Sequence, residues 1–286
     1  MRAVRHWSVL LSGAALLCPT LVGQTPRASP GAGAAWVGQR IVMLNGMGEV
    51  HRLVDSTQAS TAVGINLVAP VARAEGRRLW IVATSGDDSG WVDSSAVRRL
   101  SEAIPYLDTL IERDSSDWGA YLRRAEAEHA LNQREPATLD YTRAIDLYPR
   151  EAFLYLRRGR HYTTLHDCDR ALEDFDKAIA SAPTSAAQGY NLTAELYSLE
   201  SGVSSGCTDS TRRDPGRALA AIQHAIALDS SRTTFLVILA GAYASGGDLR
   251  AAVKALKRAL DSPRAAPAYR DAWQRQLGEY ERELAR

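Results

Sequence analysis

The side chains best suited to metal chemistry stand close together in residues 166–169, which read His-Asp-Cys-Asp, with His161 shortly before them. Imidazole, thiolate and carboxylate groups are all metal ligands in proteins. The step of five positions from His161 to His166, however, does not place two side chains on one face of a helix. Asp167 stands where a carboxylate usually caps the start of a helix. The pattern therefore predicts a helix cap and no metal site.

Two common enzyme motifs are missing from the chain: it contains no H-E-x-x-H zinc motif and no G-x-x-x-x-G-K phosphate loop. No pair of cysteines has the spacing of a zinc site. The net charge of +1, from 34 basic and 33 acidic side chains, gives no support for binding to nucleic acid. We predict no catalytic residues, no cofactor and no bound metal, and therefore a protein that is not an enzyme.

Pairs of arginines recur along the chain. Arg123-Arg124 and Arg157-Arg158 are 34 residues apart, and Arg160 follows the second pair. Two interpretations are open: the arginines could form a ridge that grips an acidic partner, or they could pair with Asp and Glu of neighbouring helices. Pairing within the fold is the more common arrangement.

The same step of 34 residues governs the apolar positions that must place these side chains. Small residues, an aromatic residue and a proline return in one register, as Ala125, Ala137, Tyr141, Ala144 and Pro149 and then as Gly159, Ala171, Phe175, Ala178 and Pro183. A helix–turn–helix unit of this length cannot bury its apolar face alone and stacks on its neighbours. Over residues 100–262 the pattern resembles the tetratricopeptide repeat family, which implies an α-solenoid that binds other proteins.

The repeat register divides this part of the chain into units. We predict a half-repeat helix at 98–117, full repeats at 118–151, 152–185, 186–232 and 233–265, and a capping helix at 266–286. The third repeat carries an insertion near 199–213, because its matching small residues, Ala194 and Ala218, are 24 positions apart, against 12 in the second repeat.

The N-terminus has the order of a secretory signal. Arg2 and Arg5 precede an apolar run over 7–22, which is followed by small and polar residues. This order predicts a signal peptide at 1–23 and a flexible leader at 24–35, and hence an exported protein, periplasmic or secreted. Two alternatives stay open: a lipid anchor on Cys18, and membrane anchoring by an uncleaved N-terminal segment. No later segment reaches about 18 consecutive apolar residues, so we expect no membrane span in the mature chain.

Residues 36–97 have the character of a small β domain. Short apolar runs bounded by glycine-rich turns predict several strands and a small barrel. The runs cover residues 40–44, 66–74, 78–84 and 91–92. The closing stretch resembles bacterial Src-homology-3-like domains in Trp80, Val82, Gly90, Trp91 and Val92. The predicted fold class is a small all-β barrel followed by an α-solenoid.

The resemblance to tetratricopeptide repeats implies a binding groove on the inner face of each first helix. The groove residues that follow from it are Leu122, Glu126, His129, Phe153, Leu156, Arg160, Asn191 and Glu195. The apolar members are expected to see solvent among charges of both signs, so that an extended peptide or a helix could dock there. The alternative is that this face packs inward within a short, tight superhelix.

Two cysteines, Cys168 and Cys207, remain after removal of a signal peptide. In an exported chain such a pair favours a disulfide. The two positions lie at equivalent turns of adjacent repeats, which stack side by side. A bridge would close a loop of about 39 residues and contribute roughly 4 kcal/mol. The alternative is two free thiols.

The function predicted from these features is that of an exported, non-enzymatic adaptor that binds a protein or peptide in the groove. The alternative is a protein that binds cell-wall peptide, from peptidoglycan, through the barrel and uses the repeats as a scaffold.

Overall fold

The structure is a computed structural model that describes residues 34–44, 67–81, 90–181, 183–198, 213–263 and 267–286. The predicted signal peptide, and all of the predicted leader except its last two residues, lie outside this part of the chain. Within it, five strands are followed by ten α-helices. The strands are β1 Arg40–Met43, β2 Val68–Glu75, β3 Arg78–Ile81, β4 Gly90–Asp93 and β5 Val97–Arg99.

The helices follow one another in packed pairs, with short connections except between α6 and α7. The first six are α1 Leu100–Arg113, α2 Trp118–Ala130, α3 Arg134–Leu147, α4 Ala152–Thr164, α5 Cys168–Ser181 and α6 Pro183–Tyr197. The last four are α7 Pro215–Leu228, α8 Thr233–Ser245, α9 Leu249–Asp261 and α10 Pro267–Leu284. None of the described helices is both long and apolar enough to cross a bilayer.

The strands form one antiparallel sheet in the order β4-β3-β2-β1-β5. A turn of three residues, Ser94–Ala96, carries the chain from β4 to β5, which pairs with β1 through Met43 and Val97. In the described residues β4 and β5 are the two edge strands and are not paired with each other. The described residues thus form a small five-stranded antiparallel sheet, and the small barrel stays a prediction.

β1 is buried on both of its faces. Val42 shares one core with Leu107 of α1 and Ala127 of α2, while Ile41 belongs to a second core that includes Leu122 of α2. Because side chains alternate along a strand, neighbouring residues of β1 reach two different cores. The sheet is thereby fixed to the first two helices.

Aspartate caps set the starts of several helices. Asp117 accepts a hydrogen bond from the backbone N–H of Ala120 at 2.9 Å, and Asp248 accepts one from Ala251 at 3.0 Å. Asp167 accepts from the N–H of Arg170 at 3.2 Å, so the predicted cap at α5 is confirmed. Each cap satisfies a backbone donor that has no partner within its own helix.

Small residues allow the two helices of a repeat to approach closely. A Cβ atom added at Gly159 of α4 would lie 2.6 Å from Cε1 of Phe175 on α5, and Phe175 is fully buried. The glycine therefore makes room for the aromatic ring, whose counterpart in the preceding repeat is Tyr141. This is the packing that the 34-residue register predicts.

The third repeat begins earlier than predicted. α6 starts at Pro183, within the range assigned from the sequence to the second repeat, and α5 ends only two residues before it. A proline suits the first position of a helix because its missing N–H would have no partner there. Pro183 therefore starts a helix as well as following one.

The predicted insertion connects α6 to α7, and residues 199–212 lie outside the described part of the chain. The residues on either side of it are held at one place. Arg213 donates to the backbone oxygen of Ser245 at 2.6 Å, and the hydroxyl oxygens of Ser198 and Ser245 are 3.4 Å apart. Both ends of the segment thus meet at the end of α8.

Candidate binding site

The predicted groove residues are carried by α2, α4 and α6, and we call the surface that they occupy the inner face. Two of its apolar members do not see solvent: Leu122 is 2% exposed and Leu156 is 6% exposed. Leu122 lies in a continuous core with the sheet, and Leu156 in a core with Leu192 and Leu196 of α6. The expectation of solvent exposure was wrong for these two residues, because the sheet and the next repeat cover them.

The remaining members form a mostly polar surface. Arg160 is exposed, whereas His129, Phe153 and Glu195 are half-buried. Glu126 and Asn191 are buried. The inner face therefore combines one exposed cation with a half-buried aromatic ring and several buried polar groups.

Glu126 is held by an arginine of the next repeat. Its carboxylate lies 3.6 Å from Nη1 of Arg157, and both side chains are largely withdrawn from solvent. The guanidinium of Arg157 also lies over the ring of Phe153, 4.5 Å from its centroid. A cation between a carboxylate and an aromatic face is stabilised by both. These contacts join α2 to α4.

His129 and His161 meet directly, with their Nδ1 atoms 2.8 Å apart. Nε2 of His161 lies 2.9 Å from Oγ1 of Thr138 and 3.1 Å from the carbonyl oxygen of Arg134. The Thr138 hydroxyl donates its proton to that same carbonyl oxygen, so both neighbours of Nε2 act as acceptors and this nitrogen carries the proton. The Nδ1 atom of neutral His161 must then accept the hydrogen bond that Nδ1–H of His129 donates. This assignment leaves Nε2 of His129 with a free lone pair.

The surroundings keep both imidazoles neutral. Burial lowers the pKa of His161 to about 4, and the neighbouring His129 acts in the same direction. Burial also lowers the pKa of His129; Glu126 opposes this effect, and the charges of Arg160, Arg40 and Arg157 add to it. A hydrogen bond between two nitrogens requires one of them to be unprotonated, so the neutral state and the contact support each other.

Glu195 and Asn191 form the α6 part of the inner face. Nδ2 of Asn191 donates to Oε1 of Glu195 at 2.6 Å. Burial raises the pKa of Glu195, while Arg160 and Asn191 act to lower it. Arg160 of α4 is thus close enough to Glu195 to stabilise its negative charge.

Three of the recurring arginines, Arg124, Arg157 and Arg158, pair within the fold, as the second interpretation predicted. Nε and Nη2 of Arg158 hold the two oxygens of Asp174 at 2.8 and 2.9 Å, and Arg124 holds Asp140 in the same way. Arg124 also reaches Asp108 of α1 at 2.7 Å. Sequence reasoning did not identify these aspartates, although Asp140 and Asp174 each stand 16 positions after their arginine.

A second buried acid lies beside the Arg124 cluster. Glu128 is buried, and its Oε2 atom has no hydrogen-bond partner among the described residues. Burial raises the pKa of Glu128 to about 7, with a further rise from Asp140 that Arg124 opposes. A carboxyl group in this position retains its proton near neutral pH.

No group of three or more His, Cys, Asp or Glu side chains in the described residues could hold a metal ion.

The segment Gly202–Gly206 fits the G-x-S-x-G pattern of serine hydrolases, which sequence reasoning missed, and it lies outside the described residues. In hydrolases that pattern joins a strand to a helix at the top of an α/β sheet. Here it falls in the connection between two helices of the array, α6 and α7.

Cys168 is bonded in a disulfide, whose partner lies outside the described residues. The chain contains three cysteines, and the other two are Cys18 and Cys207. The pairing of Cys168 with Cys207 therefore stays a prediction.

The helices of the described residues follow one another in packed pairs, as in helical-repeat proteins. Residues 206–272 match the family model described as tetratricopeptide repeat. The family is generally non-catalytic. No curated protein is similar to this chain in sequence.

Solved structures share the helical array. A chain of the APC/C hetero-tetramer Cut9–Hcn1 is 13% identical over 65% of this chain and 34% of that chain, with a TM-score of 0.51. MamA (41-end) from Desulfovibrio magneticus RS-1 is 18% identical over 59% of this chain and 88% of its own, with a TM-score of 0.48. YrrB, a tetratricopeptide repeat protein with an unusual peptide-binding site, is 19% identical over 60% and 86%, with a TM-score of 0.41. At such identities only the fold can be compared, and the comparison rests on the first of these structures.

Proposed function

We propose that this protein is an exported, non-enzymatic adaptor that binds a protein or peptide partner on its inner face. The observation that carries the proposal is the exposed Arg160, whose charge acts on Glu195 of α6, on the same face as Phe153 and the guanidinium of Arg157 that covers its ring. A peptide needs an apolar contact and polar groups that fix its orientation, and this surface offers both.

The burial of Leu122 and Leu156 limits where such a partner can lie. The sheet and α6 already cover these side chains, so the accessible part of the inner face is centred on α4 and α6. We infer that the partner contacts Phe153, Arg160 and Glu195, and that the two leucines only support this surface.

The proposal of export rests on the N-terminal sequence and on the disulfide at Cys168. Disulfides persist in oxidising compartments and are rare in the cytosol. We propose Cys207 as the partner of Cys168, because the segment that carries it starts and ends beside Ser245, at the same type of inter-helix turn. Peptide mapping without reduction is expected to give one linked pair that contains both cysteines.

The alternative function, cell-wall binding, is supported by one feature of the sheet. Trp80 and Trp91 are half-buried and meet edge to face with ring centroids 5.4 Å apart, and Arg78 lies 5.0 Å over the ring of Trp91. Exposed edges of paired indoles are suited to binding an extended ligand. On this alternative the sheet is a Src-homology-3-like domain that holds the peptide of peptidoglycan.

Affinity capture from the exported fraction tests the adaptor proposal. Arg160→Glu and Phe153→Ala are each expected to abolish capture of a partner that the unaltered protein retains. Arg250→Glu is the matched control, because Arg250 is exposed on α9, away from the inner face. Thermal melting checks that each variant is folded.

A second arm separates the two functions. Binding to purified peptidoglycan is measured for Trp91→Ala. The control is Tyr148→Ala, which alters an exposed aromatic residue of the array. If Trp91→Ala abolishes binding while the Arg160 and Phe153 variants retain every partner, the adaptor proposal fails and the cell-wall alternative stands.

A further inference from the structure

We propose that Arg40, His129 and Arg160 form a site for the carboxylate groups of an acidic peptide. This inference deepens the proposed function, on which it rests, because it names the chemistry of the partner. The site lies where β1 meets the inner face.

Three elements bring these side chains together. Nη1 of Arg40 donates to the carbonyl oxygen of Ala130 at 3.0 Å, which holds this guanidinium of β1 against the end of α2 and next to His129. The contact between His129 and His161 holds α2 against α4, and Arg160 immediately precedes His161. The charges of Arg40, from the sheet, and of Arg160, from α4, both act on the imidazole of His129.

The neighbouring carboxylates are already engaged. Glu126 lies 3.6 Å from Arg157, and Glu195 accepts a hydrogen bond from Asn191 at 2.6 Å. Arg40 and Arg160 are both exposed, and neither forms an ion pair among the residues that the structure describes. The charge left over at this place is positive and accessible, which suits an anionic ligand.

The titratable and charged groups around His129 also have an excess of positive charge. They are Glu126 of α2, Arg134 and Tyr141 of α3, Arg157, Arg160 and His161 of α4, Glu195 of α6 and Arg40 of β1. Four of these groups are arginines, against two carboxylates.

His129 gives the site a dependence on pH. Its Nε2 atom has the free lone pair, so it can take a proton without losing the hydrogen bond from Nδ1 to His161. A bound carboxylate stabilises the protonated form and raises the pKa of His129 from its lowered value. Binding is thus coupled to proton uptake, and affinity is expected to rise as the pH falls.

Titration calorimetry on the full chain tests the proposal with hexaglutamate as the probe and hexaglutamine as its neutral counterpart. Hexaglutamate is expected to bind and hexaglutamine not to bind. Arg40→Gln and Arg160→Gln are each expected to weaken binding by about ten-fold or more, as is usual for loss of a charge-assisted hydrogen bond. Arg250→Gln, at an exposed arginine of α9, is expected to leave it unchanged.

The pH arm uses His129→Gln. The unaltered protein is expected to bind hexaglutamate more tightly at about pH 5.5 than at about pH 7.5, and the variant is expected to lose most of this difference. Circular dichroism checks the fold of each variant, and Arg40→Gln alters an exposed side chain outside the array.

Several results would overturn the site. They are equal binding of hexaglutamine, unchanged binding in both arginine variants, or binding of inorganic phosphate with the same residue dependence but no binding of hexaglutamate. The failure of the site is distinguishable from that of the adaptor proposal, because Phe153→Ala tests partner capture without altering the three site residues. Capture that depends on Phe153 together with no hexaglutamate binding would overturn the anion site alone.

Discussion

Arg158 of α4 holds Asp174 of α5 through two parallel hydrogen bonds, and the pair joins the two helices of one repeat. Arg124 and Asp140 repeat this contact in the preceding unit. The equivalent positions of the next repeat are Thr193 and Ala221, so the contact ends there. The first two full repeats are tied by buried charges, whereas the later ones rely on apolar packing.

Removing one member of this pair should be strongly destabilising. Asp174 is 1% exposed, so Asp174→Ala leaves the guanidinium of Arg158 without its main partner in the interior. We expect a loss of about 3–5 kcal/mol in the free energy of unfolding, measured by urea denaturation. The exposed Asp176 on the same helix is the control, and Asp176→Ala should change it by less than about 0.5 kcal/mol. Equal effects of the two changes would contradict a structural role for the pair.

The close approach at Gly159 gives a second prediction. Gly159→Ala places a Cβ atom 2.6 Å from the ring of Phe175, so either the ring or the helix must move. We expect a loss of about 1–3 kcal/mol in the free energy of unfolding. Gly278→Ala in α10 is the matched control: no atom lies within 4 Å of the added Cβ, and alanine favours a helix by about 1 kcal/mol. If Gly159→Ala stabilised the protein as Gly278→Ala does, the close contact between Gly159 and Phe175 would be refuted.

The buried His161 predicts a loss of stability in acid. Its pKa is about 4 in the folded protein, against 6.5 for an unperturbed histidine. Between these values the unfolded chain binds more protons, so the free energy of unfolding falls as the pH decreases from 6.5 towards 4. The contribution is up to about 3 kcal/mol, and urea denaturation across this range measures it. His161→Gln should remove it, and an unchanged pH slope in that variant would refute the assignment.

Glu128 predicts the opposite trend over an overlapping range. Its pKa is about 7 in the folded protein, against 4.5 for an unperturbed glutamate, so the folded state binds more protons between these values. The free energy of unfolding should fall by up to about 3 kcal/mol as the pH rises through this range. Glu128→Gln keeps a neutral side chain and should remove this loss, so that the variant gains stability relative to the unaltered protein at high pH. Glu135→Gln, at an exposed glutamate of α3, should not change the slope.

The repeats were predictable from the sequence because their determinants are local. Gly159 and Phe175 are 16 positions apart, and Ala125 and Tyr141 have the same spacing 34 residues earlier. The pairing of the two helices in a repeat can therefore be predicted from the sequence alone. The cap at Asp167 was predictable for the same reason. The pairing of Arg158 with Asp174 was also within reach, since Arg124 and Asp140 repeat it.

The state of the inner face was not predictable in this way. Leu122 and Leu156 have the periodicity of an accessible groove, but their exposure depends on what the sheet and the next repeat cover. The contact of His129 with His161 joins positions of two different repeats, and a period of 34 residues does not indicate that side chains 32 positions apart will meet. Such relations depend on how repeats stack, and that stacking is set by many contacts at once.

Ser198 and Arg213, on either side of residues 199–212, both contact Ser245 at the end of α8. Doubling the length of a loop with fixed ends costs only about 0.6 kcal/mol. New sequence can therefore accumulate between Ser198 and Arg213 while the stacked helices stay as they are. The chain has a place where evolution, or an engineer, can add sequence without rebuilding the scaffold.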